Sequence, residues 1–208
     1  MVKLADPSAI GLCGFALTTL VLSMHNAGIG IPYGSPNNVV VGLAFFYGGF
    51  AQFTAGVFDI LHNNMFGGTA FISYGAFWMS FASILTPGFG VKAAFTAANS
   101  KHLPNALGIF LLGWTIFTFI MMIASYRIHF VMATLFTFLF VTFVLLTIGE
   151  WKASKVFMTL GGSFGFVTAL IAFYLAASLL ISKKSGFSFD LPNKSLAAPK
   201  EPVYDSEA

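Results

Sequence analysis

Long runs of apolar residues, separated by short polar segments, repeat along this 208-residue chain. Six of the runs have the length of about 20 residues that a helix needs to cross about 30 Å of hydrocarbon. They predict membrane-spanning helices at roughly 9–29, 38–61, 66–86, 104–125, 129–149 and 156–182. The separators are rich in Pro, Gly and Asn, as in GIPYGSPNN at 30–38, which is typical of turns. Because the runs are continuous rather than alternating, a β-barrel is rejected and an all-α membrane protein is predicted.

The composition agrees with that prediction. Hydrophobic residues make up 57% of the chain and charged residues 8%, against about 25% charged residues in soluble domains. Between Ser8 and Ser182 the charged residues lie at the edges of the runs or between them, at Asp59, Lys92, Lys101, Arg127, Glu150, Lys152 and Lys155. The net charge of +3 comes from scattered lysines, so no nucleic-acid-binding face is predicted.

The same pattern predicts two parts of unequal size. Residues 1–182 would form the six-helix transmembrane domain, and residues 183–208 a polar, proline-bearing tail that we expect to be disordered. An even number of spans places both ends of the chain on one side of the bilayer. A small excess of Lys and Arg on that side predicts cytoplasmic termini in a plasma or inner membrane.

Polar side chains inside the first two spans are the main functional signal. Thr18 and His25 share one stripe of the first helix, and Thr19 and Asn26 share the adjacent one, because residues three, four or seven apart lie on the same face. Gln52 is the corresponding amide of the second span. Any single hydroxyl could instead bond to the carbonyl one turn back, His25 could be structural, and Asn26 could cap the helix.

Several kinds of site are absent from the pattern. No Asp, Glu, Lys or Arg lies deep in a span, so His25 is the one candidate for an intramembrane proton relay. The four histidines fall on different segments and Cys13 has no cysteine partner, so neither a metal site nor a cofactor is predicted. No nucleophile with a base can be assembled, which argues against an enzyme. A path lined by hydroxyls, amides and rings would pass a small solute and bind it weakly.

Four segments of the sequence carry more specific information about function than the composition does. DPSAIGLCGFALTTLVLSMHNAG at 6–28, FYGGFAQFTAGVFD at 46–59, NMFGGTAFISYGAFWMS at 64–80 and FVLLTIG at 143–149 resemble, in order, the acetate uptake transporter family. That family includes the bacterial succinate–acetate permeases and the yeast Ato proteins. The chain departs from the family pattern at Asp6, Ser8, Ala9 and Ile10, and has Asp59 where Glu is usual.

The resemblance implies a homohexameric ring of six-helix protomers, each with its own pore for acetate and for succinate or other short carboxylates. It also implies an apolar constriction built from Phe15, Tyr74 and Leu139, with Leu135 as the alternative to Leu139 if the match slips by one turn. The remaining polar residues would line the pore and replace part of the water around a carboxylate: Thr18, Thr19, His25, Asn26 and Gln52.

Three functional hypotheses remain at this point. The first is a passive channel or facilitator for acetate, favoured because no fixed cation would trap the anion. The second is a proton-coupled acetate symporter with His25 as the relay. The third is a membrane protein that does not transport and whose polar face binds a partner helix.

Overall fold

The computed structural model describes residues 5–193 and 195–196, and its regular elements are helices. Within that part of the chain the one β-type pairing is an isolated bridge between His129 and Ser195. The helices are α1 (Ser8–Ala27), α2 (Val40–Leu61), α3 (Met65–Leu85), α4 (Val91–Ala97), α5 (Leu103–Ser125), α6 (Phe130–Lys152) and α7 (Lys155–Leu180). All but α4 are long and apolar enough to cross a membrane. The predicted all-α architecture with six spans is therefore confirmed.

The ends of the spans lie within three residues of the predicted ends. Local chemistry explains several of them. The Asn64 side chain accepts a hydrogen bond from the Gly67 N–H at 3.0 Å and caps α3, as expected of Asn at this position. His129 Nδ1 accepts from the Met132 N–H at 3.1 Å at the start of α6. Gly28 ends α1 in the left-handed conformation, with φ of 72°, which glycine adopts without steric cost.

Helix α2 differs from the uniform span that the sequence predicts. It consists of an α-helical segment Val40–Phe45, a π-helical segment Phe46–Ala51 and a second α-helical segment Gln52–Leu61. A π turn inserts an extra residue and so rotates the residues that follow it. Gly48 lies in this segment against the side chain of Thr18, so closely that an added Cβ would overlap the threonine. The bulge and its glycine thus let α1 and α2 approach closely and set the direction of Gln52.

The bundle is held together by close approaches at glycine. Helix α1 packs along α7, α6 packs on both α5 and α7, and α2 packs on α3. A Cβ at Gly162 of α7 would lie 2.8 Å from the Ser23 carbonyl oxygen of α1. One at Gly75 of α3 would lie 2.9 Å from the Phe53 Cα of α2. Small residues at such crossings maximise van der Waals contact, which drives helix association in lipid.

Part of the predicted tail folds back onto the helices. A short 3₁₀ turn follows α7 at Lys183–Ser185, and the Tyr174 hydroxyl then donates to the Pro192 carbonyl at 2.6 Å. The Leu196 N–H donates to the Ile128 carbonyl at 3.0 Å, between α5 and α6. Residues 194 and 197–208 of that tail lie outside the described residues, so the boundary at 182 stays a prediction.

Replacing Gly162 by Ala tests the glycine contacts. The new methyl group would meet the backbone of α1, which cannot move as a side-chain end can, so we expect a loss of about 1–3 kcal/mol of stability. The matched control is Gly113→Ala in α5, where a Cβ meets nothing within 4 Å and alanine favours the helix. Thermal unfolding of the detergent-solubilised variants, followed by circular dichroism, measures the difference. Equal unfolding temperatures for Gly162→Ala and the unmodified protein would contradict this account of the packing.

Candidate functional site

Four cavities follow one another through the helical bundle. We name them the near mouth, beside the start of α1 and the end of α7, then the first chamber, the second chamber and the far mouth. Their volumes are about 170, 40, 40 and 290 Å³, respectively. The near mouth and the first chamber share the lining residues Leu12, Phe66, Gly67, Phe71 and Met132. Asn26 lines both the second chamber and the far mouth. The four cavities therefore form one interrupted path within a single chain.

The first chamber is apolar apart from one amide and one phenol. Helices α1, α2, α3 and α6 contribute its lining, which consists of Leu12, Phe15, Gln52, Phe66, Gly67, Ala70, Phe71, Tyr74, Met132, Leu135, Phe136 and Leu139. Its volume corresponds to a few water molecules. A solute of a few heavy atoms fits, and a large one does not.

The second chamber is lined by α1, α3 and α6 and carries more polar groups. Its residues are Phe15, Thr19, Leu22, Ser23, Asn26, Tyr74, Phe77, Trp78, Leu139, Thr142, Phe143 and Leu146. Two buried polar atoms in this set, Thr19 Oγ1 and Trp78 Nε1, have no hydrogen-bond partner in the described protein. Unpaired buried groups cost about 1–3 kcal/mol each, so a hydrogen bond with a solute would stabilise either atom.

Phe15, Tyr74 and Leu139 are the residues that line both chambers. We call these three the dividing wall. The rings of Phe15 and Tyr74 lie 5.8 Å apart between centroids, and all three side chains are buried. The structure thus brings together, from α1, α3 and α6, the residues expected to form a constriction. Leu135, the alternative to Leu139, lines the first chamber alone.

Tyr74 is held rigidly in the dividing wall. Its hydroxyl pairs with Thr118 Oγ1 of α5 at 2.8 Å. Its ring also contacts Phe117 and Phe136, at centroid distances of 5.4 and 6.2 Å. Tilted aromatic pairs of this kind are favourable beyond the area they bury. The phenol is therefore fixed by α5, a helix that the sequence did not connect with the constriction.

The predicted polar residues divide into two groups. Thr19 and Asn26 line the second chamber, and His25 lines the far mouth with Nδ1 2.9 Å from the Val21 carbonyl oxygen. Thr18 is not among the lining residues of the four cavities. Its hydroxyl donates to the Gly14 carbonyl at 2.8 Å, and its side chain faces Gly48. Thr18 therefore contacts α2, whereas His25 of the same stripe and both Thr19 and Asn26 of the adjacent stripe line the path.

Gln52 has the least satisfied polar side chain of the path. It is fully buried, lines the first chamber, and neither Oε1 nor Nε2 has a hydrogen-bond partner in the described protein. It is the residue directly after the π-helical segment, and such segments are frequent at functional sites. The wall of the first chamber thus contains one unpaired donor and one unpaired acceptor, covered by the apolar surface of the chamber.

Fixed charge is scarce along the path. Among the described residues that line the four cavities, Lys92 at the far mouth is the charged one. At the near mouth, burial lowers the pKa of His129 from its usual value, which favours the neutral imidazole. A solute that has left the mouths meets no cation in either chamber.

Asp59 is a buried acid that the sequence placed at the edge of the membrane. It is 1% exposed, and it accepts hydrogen bonds from Ser8 Oγ at 3.3 Å and from Asn64 Nδ2 at 3.2 Å. Both donors line the near mouth, whereas Asp59 itself does not. It therefore positions two polar groups of the mouth.

Sequence reasoning missed several lining residues, among them Phe66, Trp78 and Phe136. They are apolar residues on spans that carry apolar residues on every side, so periodicity did not distinguish a pore-facing side. The pairing of Tyr74 with Thr118 joins two positions on different helices and leaves no local signal. Asn193 of the folded-back tail lines the near mouth and was expected to be disordered.

A family model described as the GPR1/FUN34/yaaH family matches residues 1–198. The chain belongs to the GPR1/FUN34/yaaH family. It is 45% identical over 193 residues to "Accumulation of dyads protein 2" of Saccharomyces cerevisiae. The aligned region covers 91% of this chain and 66% of that protein. The chain thus spans just under two thirds of the length of this yeast relative.

Bacterial members of the GPR1/FUN34/yaaH family are matched over nearly their whole length. The "Succinate-acetate/proton symporter SatP" of Escherichia coli is 35% identical over 187 residues, which are 88% of this chain and 93% of that protein. The solved structure of the bacterial acetate channel SatP superposes with a TM-score of 0.79 at 32% identity and covers 91% of this chain and 99% of that one. The match confirms the fold.

In this member of the GPR1/FUN34/yaaH family, Phe15→Ala should open the dividing wall. Removing the ring joins the two chambers, so we expect faster permeation of small solutes and admission of larger ones. The measurement is the leak of reconstituted vesicles to a graded series of monocarboxylates. Phe119→Ala on the exposed face of α5 is the control and should leave permeability unchanged. Equal leak in both variants would show that Phe15 does not narrow the path.

Proposed function

We propose that this protein is a membrane channel that passes acetate, together with succinate or other short carboxylates, through each chain. The observation that carries the proposal is the dividing wall of Phe15, Tyr74 and Leu139, which separates two small chambers on one path. An apolar constriction of this kind gates by excluding water and by size. The names of the bacterial relatives, an acetate channel and a succinate-acetate/proton symporter, support the choice of solute.

Weak binding in the chambers favours passage of the solute over its retention. The chambers provide hydroxyl, amide and indole groups, so a bound solute gains a few hydrogen bonds but no ion pair. Conduction requires that the solute can leave again. Lys92, His25 and Asn26 at the far mouth would attract an anion from solution before it reaches the dividing wall.

Proton-coupled transport is the second candidate, favoured by the word symporter in the name of the Escherichia coli relative. In this version His25 relays the proton. It lines the far mouth and lies outside the residues that line the two chambers. A relay there would exchange protons with water and would hand them to the solute before it crosses the dividing wall.

The setting of the protein is part of the proposal. We place the channel in the plasma or inner membrane with cytoplasmic termini, in agreement with the charge bias of the loops, and we propose a homohexamer with one pore per protomer. Exposed apolar side chains such as Phe46, Phe50 and Ile109 provide surface for lipid and for neighbouring protomers. Transport of this kind involves no bond chemistry and no cofactor.

Acetate flux into vesicles tests the proposal. Vesicles that contain the protein should take up labelled acetate down its gradient faster than protein-free vesicles, without saturating as a carrier does. If His25 relays protons, His25→Ala should abolish the acidification of the lumen that accompanies acetate uptake. Uptake equal to that of protein-free vesicles would overturn the proposal and would favour a partner-binding role.

A further inference from the structure

We infer that the solute crosses the first chamber as the neutral carboxylic acid, and that the amide of Gln52 is the group that recognises it. The inference rests on the proposed function and concerns the form in which the solute passes the apolar part of the path.

The amide of Gln52 matches a protonated carboxyl group. A primary amide presents one acceptor oxygen beside one donor nitrogen, and a carboxylic acid presents one donor hydroxyl beside one acceptor oxygen. The two groups can therefore form two parallel hydrogen bonds, with Nε2 donating to the acid carbonyl and the acid hydroxyl donating to Oε1. A carboxylate has acceptors alone, so it could pair with Nε2 but would bring its other oxygen against Oε1.

Both halves of this amide lack a hydrogen-bond partner within the described protein. Gln52 is fully buried, and Oε1 and Nε2 lack partners in the described protein, an unusual state for a buried polar side chain. The phenol of Tyr74, the other polar group of the first chamber, is already paired with Thr118. Gln52 is thus the one unpaired donor–acceptor pair among the described residues lining this chamber.

The electrostatics of the surrounding helices favour the neutral form. No described residue that lines the first chamber carries a charge. The titratable residues on the helices that pack around it are Cys13 and His25 of α1, Tyr47 and Asp59 of α2, Tyr74 of α3, and Glu150 and Lys152 of α6, the last of which is exposed at the end of its helix. Of these, Asp59 is held by Ser8 and Asn64 towards the near mouth, and none supplies a cation to the first chamber.

Protonating the carboxylate costs less free energy than moving the charged carboxylate into the first chamber. A carboxyl group with a pKa of about 4.3 is neutral in roughly one molecule in 500 at pH 7. Moving a bare carboxylate into an apolar space without a paired charge is disfavoured by a larger factor. The proton is taken from water at one mouth and returned to water at the other. Each solute therefore carries one proton across, as a symporter would, without a relay side chain in the chambers.

Reconstituted vesicles distinguish the two forms of the solute. We expect the protein-dependent rate at fixed total acetate to fall about tenfold for each pH unit above about pH 5, in proportion to the acid. We also expect no current, and no acceleration when valinomycin and potassium clamp the membrane potential. Acetamide, which is neutral and bears the same donor–acceptor pair as acetic acid, should pass at a rate independent of pH.

Variants at position 52 test the role of the amide. Gln52→Met keeps the length of the side chain and removes both hydrogen-bonding atoms, so the protein-dependent flux of acetate and acetamide should fall about tenfold. The same change removes a buried unpaired group and should raise the unfolding temperature, which excludes misfolding as the cause of the loss. Gln52→Asn keeps the amide and should retain part of both fluxes.

The outcomes separate this inference from the proposed function. Acetate flux that is electrogenic and independent of pH would overturn the inference and leave the channel in place. Unchanged flux in Gln52→Met would overturn the role of Gln52. An absence of protein-dependent flux for acetate at every pH would overturn the proposed function and the inference together.

Discussion

In the proposed channel a solute would lose its water at the dividing wall of Phe15, Tyr74 and Leu139, where the described side chains provide no charge in return. Desolvation of an ion is among the largest unfavourable terms in protein energetics. The lining of the path matches this desolvation penalty. Polar groups lie at the two mouths, and the surfaces at the centre are nearly apolar. The solute that we propose, and its protonation state, both follow from how this desolvation penalty would be avoided.

The rest of the fold keeps the dividing wall narrow and fixed. Glycines at helix crossings let α1 approach α7 and α2 approach α3 to backbone contact, which leaves little freedom for the helices to separate. Thr118 of α5 holds the hydroxyl of Tyr74 at 2.8 Å, so the ring cannot turn without breaking a buried hydrogen bond. The π-helical segment of α2 sets the direction of Gln52 next to this wall.

The six spans could be predicted from the sequence because continuous apolar runs of this length have one structural solution in lipid. Which side of each helix faces the path could not, since α1 carries Thr18 and Thr19 on neighbouring stripes and both look equally polar. In the structure the Thr18 side chain packs against Gly48, so Thr18 faces α2. The resemblance to a family suggested Phe15, Tyr74 and Leu139 together, but the support of Tyr74 by Thr118 and the bulge before Gln52 depend on tertiary packing.

Thiol modification at the dividing wall is the most direct test of a pore inside each chain. In a Cys13→Ser background, Leu139→Cys would be treated with a small methanethiosulfonate reagent, and Ile116→Cys on the exposed face of α5 would be the control. The account predicts that acetate flux falls to the level of protein-free vesicles for Leu139→Cys and is unchanged for Ile116→Cys. Full modification of Leu139→Cys, verified by mass spectrometry, with undiminished flux would contradict it.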